Sequence, residues 1–265
     1  MSEHAGSKWL YISSAKGIQN YIFKVGKLKY IIGGSERIEN LGTEIDEVLG
    51  RIGARENHDY RVIQNAGGNA RLLFYSRDHA LALAEVWPYI VRKKIPGLQV
   101  VQAVVPVTDH GFVTALTESE YVLRANRNIY YPDLPPAEPV VARNRLTGLP
   151  VVAINRDAKD GSEMYLDAES VSKLDNIIKT QEKLLERIGV MDRWPGRTWT
   201  REFSRIAGEG EYMAVIHADA NGLGQCLIKL GSRLTGATDD RAVAVYRQFS
   251  TAIESSTQQA FLEAL

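Results

Sequence analysis

The sequence contains a single cysteine, Cys226, among its 265 residues. One cysteine excludes an internal disulfide and a zinc site built from several cysteines, so we expect a reducing, cytoplasmic location. No apolar run approaches the roughly 20 residues that span a bilayer, and the polar residues 1–9 do not resemble a signal peptide. Neither sign of charge predominates, since 32 Lys and Arg balance 32 Asp and Glu. No membrane partner is expected, and phosphate binding would depend on local basic clusters.

The first half of the sequence alternates between strand and helix patterns. Residues 8–13 and the segments "YRVIQNA", "ARLLFYS" and "PGLQVVQAVVPV" have the apolar runs of strands. A helical face with spacings of three and four is formed by Ile38, Leu41, Ile45 and Leu49, and Ser35 is a candidate N-cap for that helix. "RDHALALAEVWPYIVRKK" predicts a second helix. The order strand, helix, strand, strand, helix, strand predicts an α+β domain of the ferredoxin-like βαββαβ type, whose antiparallel sheet carries helices on one face.

The second half begins with a proline-rich segment at 131–139, which predicts a stiff surface connector. An amphipathic helix is predicted to follow, with one stripe, apolar except for Gln181, made of Val171, Leu174, Ile178, Gln181, Leu185 and Ile188. A further strand, "YMAVIHA", and a long C-terminal helix from about Asp239 come next. We therefore divide the chain into a first domain (1–130), a connector (131–208) and the start of a second domain (209–265).

Two glycines, Gly67 and Gly68, lie between two predicted strands and are followed by Asn69. From sequence alone this is most simply a tight type I′ or II′ hairpin turn. Such a turn can also let a phosphate approach the backbone closely. Because the turn ends in an amide, and Ser14 ends the preceding buried strand, this pair offers no carboxylate for a hard cation.

The segment "LYISSAKGIQNYI" has a short echo in "AVIHADANGLGQCL", in which Gly17 matches Gly222 and Ser14 matches Asp219. Two-metal nucleotidyl transfer needs carboxylates at a strand end and on a neighbouring hairpin. Asp219 is therefore a candidate metal ligand and catalytic residue, although it could instead cap the next helix. The backbone amides of Asn221, Gly222 and Gly224 are candidates for phosphate binding at a helix start.

Three motifs, "GIQNYIFKVGKLKYIIGGSERIENL", "AGGNARLLFY" and "YMAVIHADANGLGQCL", together resemble the large polymerase-like subunit of type III CRISPR effector complexes, the family called Cas ten or, in one subtype, Cmr two. The resemblance implies two palm domains, the first of them catalytically silent, that bind ATP between them and join it into cyclic oligoadenylates for antiviral defence. It implies Mg²⁺ or Mn²⁺ at Asp219. It also places Ser35 and Ser250 near bound nucleotide, and makes other effector subunits and target RNA the partners.

The sequence departs from this family at several points. No histidine-aspartate nuclease motif precedes the first palm, and the region "VVARNRLTGLPVV" lacks the cysteines that often bind zinc, so no zinc is expected. No Gly-Gly-Asp-Asp hairpin follows Asp219. We therefore expect that the missing half of the second palm must be supplied and that this chain alone is inactive. The alternative function is a non-catalytic scaffold in the RNA-guided complex. The basic cluster of Lys24, Lys27 and Lys29 is either solvated surface or a contact for phosphate or RNA.

Overall fold

The computed structural model describes residues 8–129, 140–156, 161–175, 177–187, 189–193, 195–196, 199–207, 212 and 222–264. The strands are β1 (Lys8–Lys16), β2 (Tyr60–Ala66), β3 (Asn69–Phe74), β4 (Gln99–Val107), β5 (Ala153–Arg156) and β6 (Glu163–Leu166). The helices are α1 (Ile18–Phe23), α2 (Leu28–Glu39), α3 (Leu41–Arg51), α4 (Arg77–Lys94), α5 (Gly111–Arg127), α6 (Ala168–Leu174), α7 (Ile177–Arg187), α8 (Val190–Arg193), α9 (Phe203–Ala207), α10 (Leu223–Arg233) and α11 (Asp239–Ala264). Along the parts of the chain described, no helix is both long and apolar enough to cross a bilayer.

The protein is an α+β molecule built on a four-stranded antiparallel sheet with the order β2-β3-β1-β4. This sheet is compatible with the ferredoxin-like arrangement predicted from the sequence. Three helices, α1 to α3, fill the connection between β1 and β2, where the pattern analysis placed one helical stretch. The hairpin of β2 and β3 and the central position of β1 bring the end of β1 next to the Gly67-Gly68 turn.

Helices cover both faces of this sheet, so the expectation that they lie on one face is wrong. Tyr11 faces a core formed with α3 and α4, whereas Leu10 and Ile12 face a core formed with α5 and α11. Both sets of β1 side chains are buried. A strand buried on both faces is apolar at consecutive positions, and the "WLYI" run in β1 carries that signal.

The helical stripe predicted from Ile38 to Leu49 is buried as expected, but it belongs to two helices. Helix α2 ends at Glu39 and α3 begins at Leu41. Ser35 lies inside α2, so its prediction as an N-cap is wrong; Lys27 precedes the helix with no side-chain cap. Packing stabilises α2 in place of a cap. A Cβ at Gly33 would lie 1.8 Å from the Lys173 carbonyl oxygen, so only glycine permits this approach of α6.

The amphipathic segment predicted as one helix is also divided, into α6 and α7. The backbone of Asp175 is extended after α6, which interrupts the helical hydrogen bonds. Asp167 caps α6 by accepting a hydrogen bond from the Ser170 N–H at 2.9 Å. The same carboxylate accepts 2.6 Å hydrogen bonds from Asn144 and Thr147, so it ties the 144–148 loop to the start of α6. The proline-rich residues 131–139 and, apart from Tyr212, the predicted strand "YMAVIHA" lie outside the described residues.

Helix α5, which the sequence analysis left unassigned, packs against β4 and β1. Its Phe112, Ala115 and Leu123 are buried in the core on that face of the sheet. The N-terminal end of α5 is capped from a distance, because the Phe112 N–H donates to the Asp239 carboxylate at 2.9 Å. Helix α11 therefore fixes one end of α5, and the other end reaches the end of β1.

Candidate functional site

The candidate site lies where β1 ends beside the β2–β3 hairpin. Ser14 and Asn69 are directly opposite each other across the β1–β3 ladder, so the two uncharged residues that the sequence analysis assigned to one site are spatial neighbours. Gly67 and Gly68 have φ values of 59° and 77°. Positive φ at both central residues is the signature of a type I′ turn. The prediction of a tight hairpin turn is confirmed.

Gly68 is required by the protein's own packing. A Cβ at this position would lie 3.0 Å from the Ala15 Cβ and 3.2 Å from the Ile18 Cδ1, while a Cβ at Gly67 would meet nothing within 4 Å. The Ala15 N–H also donates to the Gly68 carbonyl at 2.7 Å. The close approach at Gly68 is therefore to β1 and α1.

A cavity of about 230 Å³ lies on the face of the sheet under α5. Its walls come from the strand ends and from the last turns of α5, and they consist of Ile12, Ser13, Ser14, Asn69, Arg71, Glu120, Leu123, Arg124 and Arg127. Of the residues that the structure describes, three contribute guanidinium groups to this space and one contributes a carboxylate. The cavity thus has an excess of positive charge, although the whole chain has none.

Hydrogen bonds hold two of these arginines in place. The Arg127 Nη2 donates to the Ser14 Oγ at 2.7 Å, and the Arg127 carbonyl accepts from the Lys16 Nζ at 2.9 Å. Arg71 forms a 2.5 Å ion pair with Glu120 and also donates to the Gln64 side chain. Arg71 and Arg127 are therefore positioned before any ligand arrives.

The site does not suit a divalent cation. Ser14 is only 4% exposed, and its hydroxyl is engaged by a guanidinium. Asn69 donates weakly to the Gly67 carbonyl at 3.3 Å. Magnesium prefers carboxylate and water oxygens, and a guanidinium beside the ligand position would repel it. No group of three or more His, Cys, Asp or Glu side chains with metal-binding geometry occurs among the residues that the structure describes.

The two serines that the resemblance placed near nucleotide do not line this cavity. Ser35 lies in α2, next to the glycines that pack against α6. Ser250 lies in α11, just beyond Arg247, whose 3.5 Å ion pair with Glu56 places this part of α11 beside the loop before β2. That loop is at the opposite end of the sheet from Ser14, because β2 begins opposite the end of β3.

Asp219 and Asn221 lie outside the described residues, so their roles stay predictions. Gly222 precedes α10 with φ 82° and ψ 5°, and Gly17 precedes α1 with φ 70° and ψ 33°. In each case the glycine carbonyl accepts from the residue four positions later, Tyr21 at 2.9 Å and Cys226 at 3.0 Å. The sequence echo therefore corresponds to the same left-handed helix start at both places. Gly224 lies within the first turn of α10.

The α5 residues of the cavity were not identified from the sequence. Glu120, Arg124 and Arg127 are separated by four and three positions, a spacing that places side chains on one helical face. This spacing was the sequence signal that could have identified the three residues as a group. It becomes informative only once "GFVTALTESEYVLRANR" is recognised as a helix packed on β1.

One residue of the basic cluster of Lys24, Lys27 and Lys29, namely Lys24, has a structural role. The Lys24 Nζ lies 2.7 Å from a carboxylate oxygen of Glu169, whose other oxygen pairs with the buried Lys173 at 2.7 Å. Burial lowers the pKa of Lys173, while Glu169 opposes that shift. Lys24 is thus part of the packing between α1 and α6.

No family model matches the chain, and no curated protein is similar to it. Solved structures of the Csm1–Csm4 cassette in complex with cA4 and with one ATP contain a similar chain, as does the Csm1–Csm4 subcomplex of the type III-A CRISPR-Csm interference complex. In each case the identity is 22% and the TM-score 0.38, over 45% of this chain and 18% of the other. The similar region thus spans about a fifth of those chains.

Proposed function

We propose that the protein is a nucleotide-binding, palm-type member of the type III CRISPR class, in which the sheet of β1 to β4 is a catalytically silent palm that holds one ATP. The single observation that supports this proposal is the pairing of Ser14 with Asn69 at the mouth of a cationic cavity. The end of β1 meets the glycine hairpin, as the corresponding strand and hairpin would in a nucleotidyl-transfer palm. The two positions where such a palm has metal-binding carboxylates hold the uncharged side chains of Ser14 and Asn69.

The catalytic part of the proposal concerns Asp219. In the complete protein this carboxylate would hold Mg²⁺ or Mn²⁺, which would lower the pKa of an attacking ribose hydroxyl and stabilise charge at the α-phosphate. The reaction would release pyrophosphate and form a cyclic oligonucleotide. The Gly-Gly-Asp-Asp hairpin for this step is not in the 265-residue sequence, so this chain alone is proposed to bind ATP without turning it over.

ATP binding by the 265-residue chain is the first test, measured by calorimetry with and without Mg²⁺. Asn69→Asp adds a negative charge to the cavity at constant side-chain size, so we expect weaker binding. Asn155→Asp makes the same charge change on the exposed strand β5 and should leave ATP affinity unchanged. Absence of ATP binding under both conditions would contradict the proposal.

Pyrophosphate release by the complete protein, with its effector complex and target RNA, tests the catalytic half. We expect Asp219→Ala to abolish release while the thermal unfolding midpoint stays the same. Unchanged release would show that Asp219 is not the metal ligand.

A second candidate function is a scaffold subunit that keeps the palm only for assembly. The observation that favours it is the use of Gly68 for packing against Ala15 and Ile18, since a glycine needed by the fold does not require a ligand. A chain that binds effector subunits but no ATP would support this alternative.

A further inference from the structure

The cavity between β1, β3 and α5 has an unusual balance of charge. Its walls carry the guanidinium groups of Arg71, Arg124 and Arg127 against the single carboxylate of Glu120. Glu120 already pairs with Arg71 at 2.5 Å. Among the residues that the structure describes, two positive charges therefore remain without a carboxylate partner in the wall, and an anionic ligand would balance them.

The arginines retain donors that an anion could use. A guanidinium group has five N–H donors, and the hydrogen bond to Ser14 occupies one donor of Arg127. Arg124 lies one turn before Arg127 on α5 and is exposed at the cavity. Arginine forks match the oxygens of phosphate groups well. The geometry can thus serve a phosphate group with charge-assisted hydrogen bonds.

The size and chemistry of the cavity indicate which part of a nucleotide it would take. A pocket that buries a whole drug-sized ligand has a volume of roughly 300–1,000 Å³, and this one measures about 230 Å³. The described part of its lining has no aromatic side chain on which a base could stack; the apolar contributions there come from Ile12 and Leu123. The cavity therefore suits a phosphate chain better than a base.

We infer that the cavity binds the phosphate chain of a nucleoside triphosphate directly through Arg124 and Arg127, without a divalent cation. The inference rests on the proposed nucleotide function. It adds that the phosphate chain is the part of the nucleotide that this cavity recognises, and that its binding needs no metal ion. Arg127 lies beside Ser14, next to the position that a metal-binding palm fills with a cation. A guanidinium thus supplies the positive charge that a metal ion supplies in an active palm.

Calorimetry on the 265-residue chain in EDTA tests the inference, with ATP, inorganic triphosphate and adenosine as separate ligands. ATP and inorganic triphosphate should bind and adenosine should not. Arg124→Ala should lower the affinity for ATP and for inorganic triphosphate by about tenfold or more, the loss expected for a hydrogen bond to a charged group. Arg92→Ala is the matched control, because Arg92 is also an exposed arginine in the last turn of a helix, α4, but does not line the cavity.

Glu120→Gln provides a change in the opposite direction. Removing this carboxylate takes away a charge that repels phosphate and releases Arg71 from its ion pair. ATP should then bind about two- to fivefold more tightly in EDTA. Because the variant gains affinity, a partly unfolded sample cannot imitate the result.

The outcomes separate this inference from the proposed function. Binding of ATP that requires Mg²⁺, or an Arg124→Ala variant that binds like the parent chain, would overturn the metal-free site while nucleotide binding stands. Binding of inorganic triphosphate without ATP would support the anion cavity and contradict the proposed function. Failure of both ligands to bind, in EDTA as well as with Mg²⁺, would overturn both.

Discussion

The two ends of the four-stranded sheet differ in how they use charge. At the end where β1 begins, Lys8 pairs with Asp239 at 2.9 Å and Arg61 pairs with Asp240 at 2.8 Å. At the end where β1 finishes, Arg71 pairs with Glu120, while Arg124 and Arg127 face the cavity with no further carboxylate in the described part of its wall. One end is matched in charge and the other has an excess of cations.

We interpret the matched end as a structural contact and the cationic end as the proposed binding site. At the matched end, each ion pair joins the start of α11 to the sheet, and beneath them Phe112 and Tyr246 pack with ring centroids 5.9 Å apart. Because unbalanced like charges disfavour the folded state, a site that maintains them is better explained by a ligand than by stability.

The largest effect should come from the apolar contact at the matched end. Phe112 is 1% exposed, and truncation of a buried phenylalanine costs about 3–5 kcal/mol through lost transfer free energy and the cavity left behind. Phe112→Ala should therefore lower the free energy of unfolding by that amount, as measured by urea denaturation. ATP affinity of the remaining folded protein should not change.

Phe23→Ala is the control for this substitution, because Phe23 lies on the surface at 60% exposure. Its free energy of unfolding should stay within about 0.5 kcal/mol of the parent chain. Equal losses for the two variants would show that α5 does not anchor this face of the sheet.

The second prediction concerns the cationic end. Arg127→Ala removes a guanidinium that the Ser14 hydroxyl holds in place, and we expect a loss of about 1.5–3 kcal/mol in ATP binding free energy. Arg127→Lys should restore only part of the affinity, because an ammonium lacks the planar fork. Calorimetry measures the ATP affinity of both variants, and urea denaturation checks that they are folded. A large loss of stability with unchanged ATP affinity would place Arg127 with the structural contacts.

The elements that pattern analysis predicted well are those with strong local signals. The four strands of the main sheet, the Gly67-Gly68 turn and the apolar stripe from Ile38 to Leu49 depend on neighbouring residues in sequence. The pairing of Ser14 with Asn69 was not predicted, because β1 and β3 are far apart in sequence and only the folded sheet sets their register.

The features that sequence analysis missed depend on tertiary contacts. Ser35 has a suitable side chain for a cap, but packing of Gly33 against α6 extends the helix past it. Helices cover the second face of the sheet because α5 and α11 fold back onto it, and their pairing is long-range. Two of the three cavity arginines, Arg124 and Arg127, come from α5, about 110 residues after Ser14, so no local motif joins them to it.

A third prediction tests the distant cap of α5. The Asp239 carboxylate accepts from the Phe112 N–H and pairs with Lys8. Asp239→Ala should lower the free energy of unfolding by about 1–2 kcal/mol, the upper part of the range for a lost helix cap. Asp239→Asn keeps an acceptor oxygen and should cost less. Equal losses for the two variants would assign the effect to the ion pair alone.

The smallest effect should come from the exposed ion pair next to it. The Asp240 side chain is 70% exposed and its partner Arg61 is 37% exposed, and exposed pairs contribute about 0.2–1 kcal/mol. Asp240→Asn should lower the urea midpoint slightly at low salt, and the difference should vanish near 1 M NaCl because salt screens exposed charges. Asp239→Ala should keep most of its loss at that salt concentration, since the hydrogen bond to the Phe112 N–H is partly buried. A loss in Asp240→Asn that persists in high salt would mean that the matched end is held by its surface charges, and the contrast with the cationic end would then lose its physical basis.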